Sequence, residues 1–496
     1  MKRASTPLAL LCALLAASAS GCALLGEREV ERAANDALAR PLATSASRDL
    51  EAQRAPLAEA PSLAPATART EPAAIVEPLG IDQALTRARA TSEELRSAGE
   101  DLLQAHLARI EALAELLPEV SYRQGYFREE NDFPASDPSS GIRFGALLVE
   151  QRTGRFEGRL PLFYLSGYLA LAQASSVIDV AEARLHAERL LVDQATTALF
   201  YTALKAERAI DTLEAARARD LERKREIEAR AATGLARRTE VLFVETDLAR
   251  TDAGLADARE RLAATRAQLA LLVGAPIRGE LVEPRLPPSL DPKTFATRAL
   301  PELVDEAHRL RPDLAATRAQ IDVAEGVLDV ALGDYAPRLD VVGNYYLHRD
   351  GTLEDVDWDV TVDLSAPLFE GLRTTARARE AQSKKRQAEL VYQGQARAIA
   401  SDVAGAYHAL RASSAARVSR EESVRSADEN FRLLEAEYRL GLASNLELVT
   451  AQQQLTEARL AYENERLDEQ RLAYDLAFLL GGIERATPAA ASATPP

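Results

Sequence analysis

The residue types that most often bind metals or catalyse reactions are few and scattered in this sequence. Five histidines fall on separate predicted elements, and none has a cysteine or a pair of acids at metal-ligand spacing: His106, His186, His308, His348 and His408. Without that spacing no zinc site is expected. The acids of residues 354–357 lack the pattern of a calcium-binding loop, and no glycine-rich phosphate loop or nucleophile elbow is present. The sequence therefore predicts neither an enzyme nor a bound cofactor or metal.

Cysteine chemistry is confined to the N-terminus, where Cys12 and Cys22 are the only cysteines of the chain. Lys2 and Arg3 precede the apolar run 8–17, which is the pattern of a signal peptide over residues 1–21. Removal of that peptide leaves Cys22 as the only thiol. The exported chain therefore cannot form an internal disulfide.

The four residues Ala19-Ser20-Gly21-Cys22 resemble the lipobox of bacterial lipoproteins, whose cysteine becomes the first residue and carries acyl chains. The leucine usual three residues before that cysteine is Ala19 here. Ala23 follows Cys22, and in lipoproteins a residue other than aspartate favours export to the outer membrane. The resemblance implies that Cys22 is the lipidation site. The alternative is an ordinary signal peptide that ends near a chance cysteine.

Composition predicts long helices with an acidic surface. Only 5% of the 496 residues are aromatic, and Ala, Arg, Glu and Leu dominate, as in long helices. The formal net charge is −16, and residues 1–21 hold two cations and no acids, so the exported chain carries −16 − 2 = −18. Because nucleic-acid phosphates require clusters of Lys and Arg, no nucleic-acid partner is expected.

One segment occurs twice. Residues 233–274 and 440–481 each contain a Gly-Leu-Ala turn and then a gap-free helical pattern that ends at a glycine, and their offset is 207 at both ends (441 − 234 and 481 − 274). Repetition on this scale predicts two versions of one hairpin unit. The predicted divisions are a lipid anchor and Ala/Pro-rich tether over 22–78, repeat 1 over 79–281, a Pro-rich linker over 282–299, repeat 2 over 300–482 and a disordered tail over 483–496.

Helical periodicity predicts the same helices in both repeats. A lead-in helix is expected over 81–117 and again over 303–334, and a very long helix over 165–232 and again over 372–438. A helix of the latter length spans on the order of 100 Å. Apolar residues recur at steps of three and four, and alanines keep a heptad on the returning helix, so the long hairpins are predicted to be coiled coils.

Short segments between these helices alternate apolar and polar residues. The pattern is clearest over 339–348 and 358–365, present over 155–162 and weaker over 120–127. Such alternation is typical of membrane barrel strands, although a sheet packed on a soluble core gives the same pattern. After the signal peptide the sequence has no apolar run of the roughly 18 or more residues needed for a membrane-spanning helix. Four strands cannot close a barrel, and open edges in lipid are costly, so three copies are expected to supply 3 × 4 = 12 strands.

At this point residues 79–482 resemble the TolC-like outer-membrane efflux proteins. The resemblance is carried by motifs whose order and spacing fit the family: Arg311-Pro312-Asp313-Leu314, Ala336-Pro337-Arg338-Leu339, Pro367-Leu368-Phe369-Glu370-Gly371, Tyr438-Arg439-Leu440-Gly441-Leu442-Ala443 and Leu479-Leu480-Gly481. It implies a fold that is mainly α with a small β part, made of two tandem repeats of coiled-coil helical hairpins plus four strands per chain. A trimer of such chains completes a 12-strand barrel and a helical tunnel.

The resemblance also implies two sites at the hairpin turns. An adaptor-contact site is implied at Gly234, Leu235, Ala236, Gly441, Leu442 and Ala443, and a gate at Glu240, Tyr438 and Glu447. The family's basic residue two positions after the second glycine is Ala443 here, and its second acid is Thr450. Arg237 or Arg238 is the alternative source of the missing positive charge. Mere helix caps and a solvated acidic face are the alternatives to docking and gating.

These observations predict a lipid-anchored protein of the outer membrane of a Gram-negative bacterium, with its helices in the periplasm. The resemblance implies the function of a passive exit duct, a homotrimer linked through a periplasmic adaptor to an inner-membrane pump. Two alternatives remain open. One is the exit duct of a type I secretion system, and the other is a lipid-anchored periplasmic coiled-coil scaffold without a pore.

Overall fold

The computed structural model describes residues 74–131, 147–349 and 355–482. The predicted signal peptide, Cys22, residues 22–73 of the predicted tether and the tail 483–496 lie outside the described residues. The chain divides into two compact units. The sheet unit is formed by residues Glu100–Glu182 and Ala316–Tyr392, and the described part of the hairpin unit by 74–99, Ala183–Ala315 and 393–482.

Both repeats have the same order of elements: two lead-in helices, two strands, a long helix and a returning helix. Repeat 1 contains α1 Ile81–Thr91, α2 Glu93–Ala114, β1 Glu119–Asn131, β2 Leu147–Phe163, α3 Leu165–Ala232 and α4 Arg238–Val273. After a short linker helix, α5 Pro292–Thr297, repeat 2 contains α6 Leu300–Leu310, α7 Pro312–Gly333, β3 Arg338–Arg349, β4 Trp358–Ser365, α8 Arg373–Arg439 and α9 Asn445–Leu479. The predicted fold class, mainly helical with four strands, is confirmed.

The prediction of one continuous lead-in helix per repeat is wrong, because each is broken into two helices. In repeat 2 the break is at Arg311, whose ψ of 122° is extended, as expected for a residue that precedes a proline. In repeat 1 it is at Ser92, also with ψ 122°, whose Oγ accepts a hydrogen bond from the N–H of Leu95 at 3.1 Å. Ser92 thereby satisfies an N–H that the new helix leaves unpaired.

The four strands form one antiparallel sheet in the order β1-β2-β3-β4. The register places like residues in rows across all four strands. One row contains Tyr122, Phe156, Tyr345 and Trp358, and the next contains Ser121, Glu157, Asn344 and Asp359. Since neighbouring residues of a strand point to opposite faces, the sheet has one apolar face and one polar face.

The apolar face of the sheet is exposed in the single chain. Trp358, Val360, Val362 and Leu364 on β4 are between 57% and 67% exposed. Among the described residues no strand pairs with the outer edge of β1 or of β4. Free edges and an uncovered apolar face are both unfavourable in water.

The last residues of the predicted tether belong to a small parallel pairing in the hairpin unit. Ile75 pairs with Ile277, and Leu79 pairs with Leu281, and all four side chains are buried. The pairing attaches residues 75–79 to the segment that follows α4.

Candidate functional site at the two hairpin turns

The two hairpin turns have the same backbone geometry. Gly234 and Gly441 have φ values of 76° and 75°, which L-residues with a side chain rarely adopt. At the first turn, Leu235 N–H donates to Arg230 C=O at 2.8 Å and Gly234 N–H to Ala231 C=O at 3.0 Å; at the second, Leu442 and Gly441 make the equivalent bonds. This is the Schellman motif, which satisfies the last carbonyl groups of a helix.

The side chain of the leucine after each glycine does not pack against its own turn. In a Schellman motif that residue often packs against the last turn of the helix, but here the positions it would contact hold the polar residues Arg230 and Glu437. Leu235 is 74% exposed and Leu442 is 75% exposed. Both turns therefore present an apolar side chain to their surroundings.

The two hairpins of one chain share a single apolar core close to these turns. Its buried members come from both repeats: Ile227, Val241, Val244, Tyr438, Leu448 and Val449. Ala236 and Ala443, which the resemblance assigns to adaptor contact, pack against this core as partly buried residues. The structure thus brings the two predicted docking turns together in one subunit.

Tyr438, assigned to the gate, is the largest side chain of that core and is only 6% exposed. Its hydroxyl accepts a hydrogen bond from Nη1 of Arg230 at 2.9 Å. The guanidinium groups of Arg223 and Arg230 lie 4.8 Å and 5.2 Å from its ring centroid, within the range of cation–π attraction. A tyrosine of repeat 2 is therefore held by two arginines of repeat 1.

The ring of Tyr438 is the main partner of the Arg223 head group. Nη1 of Arg223 is buried without a hydrogen-bond acceptor among the described residues, and the carboxylate of Glu226 is 3.8 Å away. Without the ring, this cation would lose most of its compensation for burial.

The two acids assigned to the gate lie in the first turns of the returning helices. Glu447 accepts a hydrogen bond from Ser444 N–H at 2.7 Å, and Ser444 Oγ accepts one from Glu447 N–H at 3.2 Å, which completes a capping box. The hydrogen bonds that Ser444 donates to the Glu447 carboxylate from its N–H and from its Oγ lower the pKa of Glu447. Glu240 accepts a hydrogen bond from the N–H of Arg237 at 3.2 Å, so each acid is bonded to the N-cap residue of its own helix. Neither acid is the hydrogen-bond partner of Tyr438, whose hydroxyl is bonded to Arg230.

Two buried aspartates add polar links between the hairpins. Asp220 and Asp247 are 3% and 6% exposed. Asp220 accepts hydrogen bonds from Thr251 Oγ1 at 2.7 Å and from Gln452 Nε2, and Asp247 accepts one from Gln453 Nε2. Burial raises the pKa of Asp220; the charge of Asp247 raises it further, against the lowering effect of the Thr251 and Gln452 hydrogen bonds and of Arg219.

Replacing Asp220 with asparagine is expected to reduce the pH dependence of stability. Because the pKa is raised in the folded chain, the contribution of Asp220 is most favourable below the ordinary carboxyl value of about 4 and declines as the pH rises through the raised pKa. The amide of D220N can still accept from Gln452 and donate to Thr251. We therefore expect equal or higher stability at pH 7.5, with a smaller change in Tm between pH 5 and 7.5 in thermal unfolding.

The matched control is Asp220→Ala, which leaves the buried Gln452 and the half-buried Thr251 without their hydrogen-bond acceptor. It should lower the free energy of unfolding by about 1–3 kcal/mol at both pH values. A D220N protein with the wild-type pH dependence would contradict the assigned role.

Sequence reasoning missed Arg223, Arg230 and the two aspartates. Asp220 lies seven residues before Ile227 and therefore at the same position of the heptad. A polar residue at an apolar heptad position is the sequence signal that could have identified it. The two arginines carried no signal, because their partner is more than 200 residues away in the chain.

In the part of the chain that the structure describes, no three His, Cys, Asp or Glu side chains are grouped so that they could hold a metal ion. Within the same ranges, no helix combines the length and apolar character required to cross a membrane.

Comparison with known proteins agrees with this geometry. A family model described as "Outer membrane efflux protein" matches residues 303–482. The chain is 25% identical over 421 residues to the pyoverdine export outer membrane protein OpmQ of Pseudomonas putida, covering 81% of this chain and 86% of that protein. It is 26% identical over 191 residues to outer membrane protein TolC of Vibrio cholerae, covering 36% of this chain and 44% of that protein.

Solved structures share the fold over both repeats. The outer-membrane channel OprN has a TM-score of 0.69 at 19% identity, over 81% of this chain and 90% of that chain. The outer membrane protein VceC of Vibrio cholerae has a TM-score of 0.68 at 18% identity, over 81% of this chain and 96% of that chain. The predicted resemblance is confirmed at the level of the fold.

Proposed function

We propose that this chain is a member of the outer membrane efflux protein family, a family of channels and not of enzymes, because the family model and the OpmQ relative both match it. Its proposed role is the passive exit duct of a tripartite efflux system. Three copies form a twelve-strand barrel in the outer membrane of a Gram-negative bacterium and a helical tunnel in the periplasm. A periplasmic adaptor links this tunnel to an inner-membrane pump, which supplies the energy.

The observation that carries the proposal is the four-strand sheet. It has an exposed apolar face, a polar face and two outer edges that are unpaired among the described residues. Lipid can cover the apolar face, and pairing β4 of one copy with β1 of the next removes both edges. The polar face, with Glu157, Asn344 and Asp359, then lines a water-filled lumen.

The hairpin turns supply the proposed docking site and gate. Leu235 and Leu442 with their neighbouring Gly and Ala residues contact the adaptor, and their exposure in the single chain supports this role. Tyr438 holds the two hairpins of a subunit together in the closed state. In the trimer, Glu240 and Glu447 form rings of three carboxylates that favour cations over anions.

The cargo is proposed to be a small molecule. The relative that covers most of the chain is named as a pyoverdine exporter, which favours efflux of small solutes over the secretion of polypeptides by a type I system. A periplasmic scaffold without a pore leaves the exposed apolar face of the sheet unexplained. In a strain that lacks the gene, export of a small siderophore should fall while secretion of polypeptide toxins is unchanged.

Cysteines on the two sheet edges are expected to cross-link neighbouring copies. Ser121 of β1 and Thr361 of β4 both belong to the polar face, so a set of double variants that starts with Ser121→Cys/Thr361→Cys samples the register between copies. Oxidation should give covalent dimers and trimers for at least one register, as measured on denaturing gels. Each single-cysteine variant, which lacks a partner on the other edge, is the control.

The function itself is tested by reconstituting the purified chain into planar bilayers. Stable single-channel conductance from a particle of three copies is the expected result. A monomer without conductance would overturn the proposed function and favour the scaffold.

Cys22 is proposed to carry the lipid anchor. Cys22→Ser is expected to abolish incorporation of a palmitate analogue, because no other cysteine remains after removal of residues 1–21, while the barrel keeps the protein in the membrane fraction. Mass spectrometry of the N-terminal peptide measures the acyl chains directly. An unmodified wild-type Cys22 would contradict the assignment and favour an ordinary signal peptide.

A further inference from the structure

The two hairpin turns share a backbone geometry but present different surfaces. The offset of 207 pairs Thr233, Leu235 and Thr239 of the first turn with Leu440, Leu442 and Leu446 of the second (233 + 207 = 440, and likewise for the others). The three leucines of the second turn are 75%, 75% and 57% exposed. We name the group Leu440, Leu442 and Leu446 the leucine turn.

The first turn is basic where the second is neutral. Arg237 and Arg238 occupy the positions of Ser444 and Asn445 (237 + 207 = 444 and 238 + 207 = 445). Both arginines are exposed. Together with Leu235 they form what we name the basic turn.

The two arginines have no acidic partner among the described residues of the single chain. All other arginines of α4 are ion-paired, each with an aspartate or glutamate: Arg250, Arg259, Arg261 and Arg266. The structure gives no hydrogen bond or ion pair to the guanidinium group of Arg237 or Arg238 within its described residues.

These positions are also unfavourable for arginine. Arg237 is the N-cap of α4, a position where serine or aspartate stabilises a helix. The N-terminus is also the positive end of the helix dipole, which repels a cation. The leucine turn has Ser444 at the same place, and Ser444 completes the capping box that Arg237 cannot complete for lack of an acceptor. Local stability therefore does not explain the arginine pair.

We infer that the two turns recognise different chemistry: the basic turn binds a partner helix tip that carries carboxylates beside an apolar residue, and the leucine turn binds an uncharged apolar tip. This inference rests on the proposed docking function. Its support is charge complementarity, because two unpaired cations around one exposed leucine favour an acidic partner and repel a basic one. The two docking positions on each subunit are then not equivalent.

The test measures binding of disulfide-closed helical-hairpin peptides to the full chain in detergent by fluorescence anisotropy. The peptides share a leucine at the tip and differ only in two neighbouring residues, which are both Glu or both Lys. Wild type should bind the Glu peptide about tenfold more tightly than the Lys peptide at low salt, the effect of two exposed ion pairs. The difference should shrink as salt is added.

Matched variants separate charge from folding. R237S/R238N gives the basic turn the residues Ser and Asn of the leucine turn, and the serine supplies a favourable N-cap. This variant should lose the preference for the Glu peptide. R237K/R238K keeps the charge and should retain it. Leu440→Thr/Leu446→Thr changes only the leucine turn and should leave the preference for the Glu peptide unchanged.

Equal binding of the two peptides by wild type, no binding of either, or an unchanged preference in R237S/R238N would overturn the inference. Anionic phosphatidylglycerol vesicles that displace the Glu peptide would also overturn it, because the arginines would then serve lipid binding. Conductance of the same preparations distinguishes the two failures. A conducting trimer that ignores tip charge refutes only this inference, whereas a preparation that does not conduct refutes the duct.

Discussion

Replacing Val362 with arginine is expected to prevent assembly of the protein in the outer membrane. Val362 is 63% exposed in the middle of β4, pairs with Val341 and lies on the apolar face of the sheet. In the proposed barrel this face contacts lipid, where an arginine near the membrane midplane costs about 2–4 kcal/mol. Three copies pay this cost in every trimer. The fraction of chain recovered as a trimer in outer-membrane fractions should fall at least tenfold.

The neighbouring residue supplies a matched control. Thr361 is on the same strand but on the polar face, so Thr361→Arg adds the same side chain toward the lumen. We expect T361R to assemble as wild type does and to change only the size or ion selectivity of the conductance. Equal loss in both variants would indicate a general intolerance of β4, and equal assembly would show that the apolar face does not meet lipid.

These expectations depend on features that could be predicted from the sequence. The alternation over 339–348 and 358–365 identifies β3 and β4, and the long helices begin and end within a residue of their predicted positions. Both patterns are strictly periodic over many residues, and the repeat allows each prediction in one half to be checked in the other. Local periodicity therefore determines the type and length of the elements.

The breaks in the lead-in helices were harder to predict from the sequence. In repeat 2, Pro312 is a sequence signal for a break, but the apolar pattern continues on both sides of it. In repeat 1, Ser92 separates α1 from α2, and its Oγ accepts a hydrogen bond from the N–H of Leu95. A periodic pattern reports which face is buried; it does not report a change of direction at a single residue. The prediction therefore fused two helices in each repeat.

Contacts between the hairpins could not be predicted from local patterns. The partners Arg230 and Tyr438 are 208 residues apart, and Asp220 and Gln452 are 232 apart. Such pairs depend on how the two repeats pack. In the proposed channel, an opening that separates the hairpins of a subunit would have to break these hydrogen bonds.

Replacing Tyr438 with alanine is expected to have the largest effect at the turns. Truncation of a buried aromatic side chain costs about 3–5 kcal/mol, and Tyr438 is the only aromatic residue among the buried members of the shared core. Each hairpin keeps its glycine turn and its returning helix, so the subunit should still fold. The hairpins lose the contact that joins them near the turns. In planar bilayers Y438A should therefore show a conductance several-fold above that of wild type, together with a lower Tm.

Tyr438→Phe separates the ring from the hydroxyl. It keeps the packing and the attraction to Arg223 and Arg230, and loses only the hydrogen bond of 2.9 Å from Arg230, a change of about 0.5–1.5 kcal/mol. Its conductance should stay close to that of wild type. If Y438F opens the channel as far as Y438A does, the hydroxyl and not the ring holds the hairpins together. If Y438A loses stability without any change in conductance, Tyr438 is a core residue only, and the constriction of the tunnel lies elsewhere, with the carboxylates of Glu240 and Glu447 as the next groups to replace.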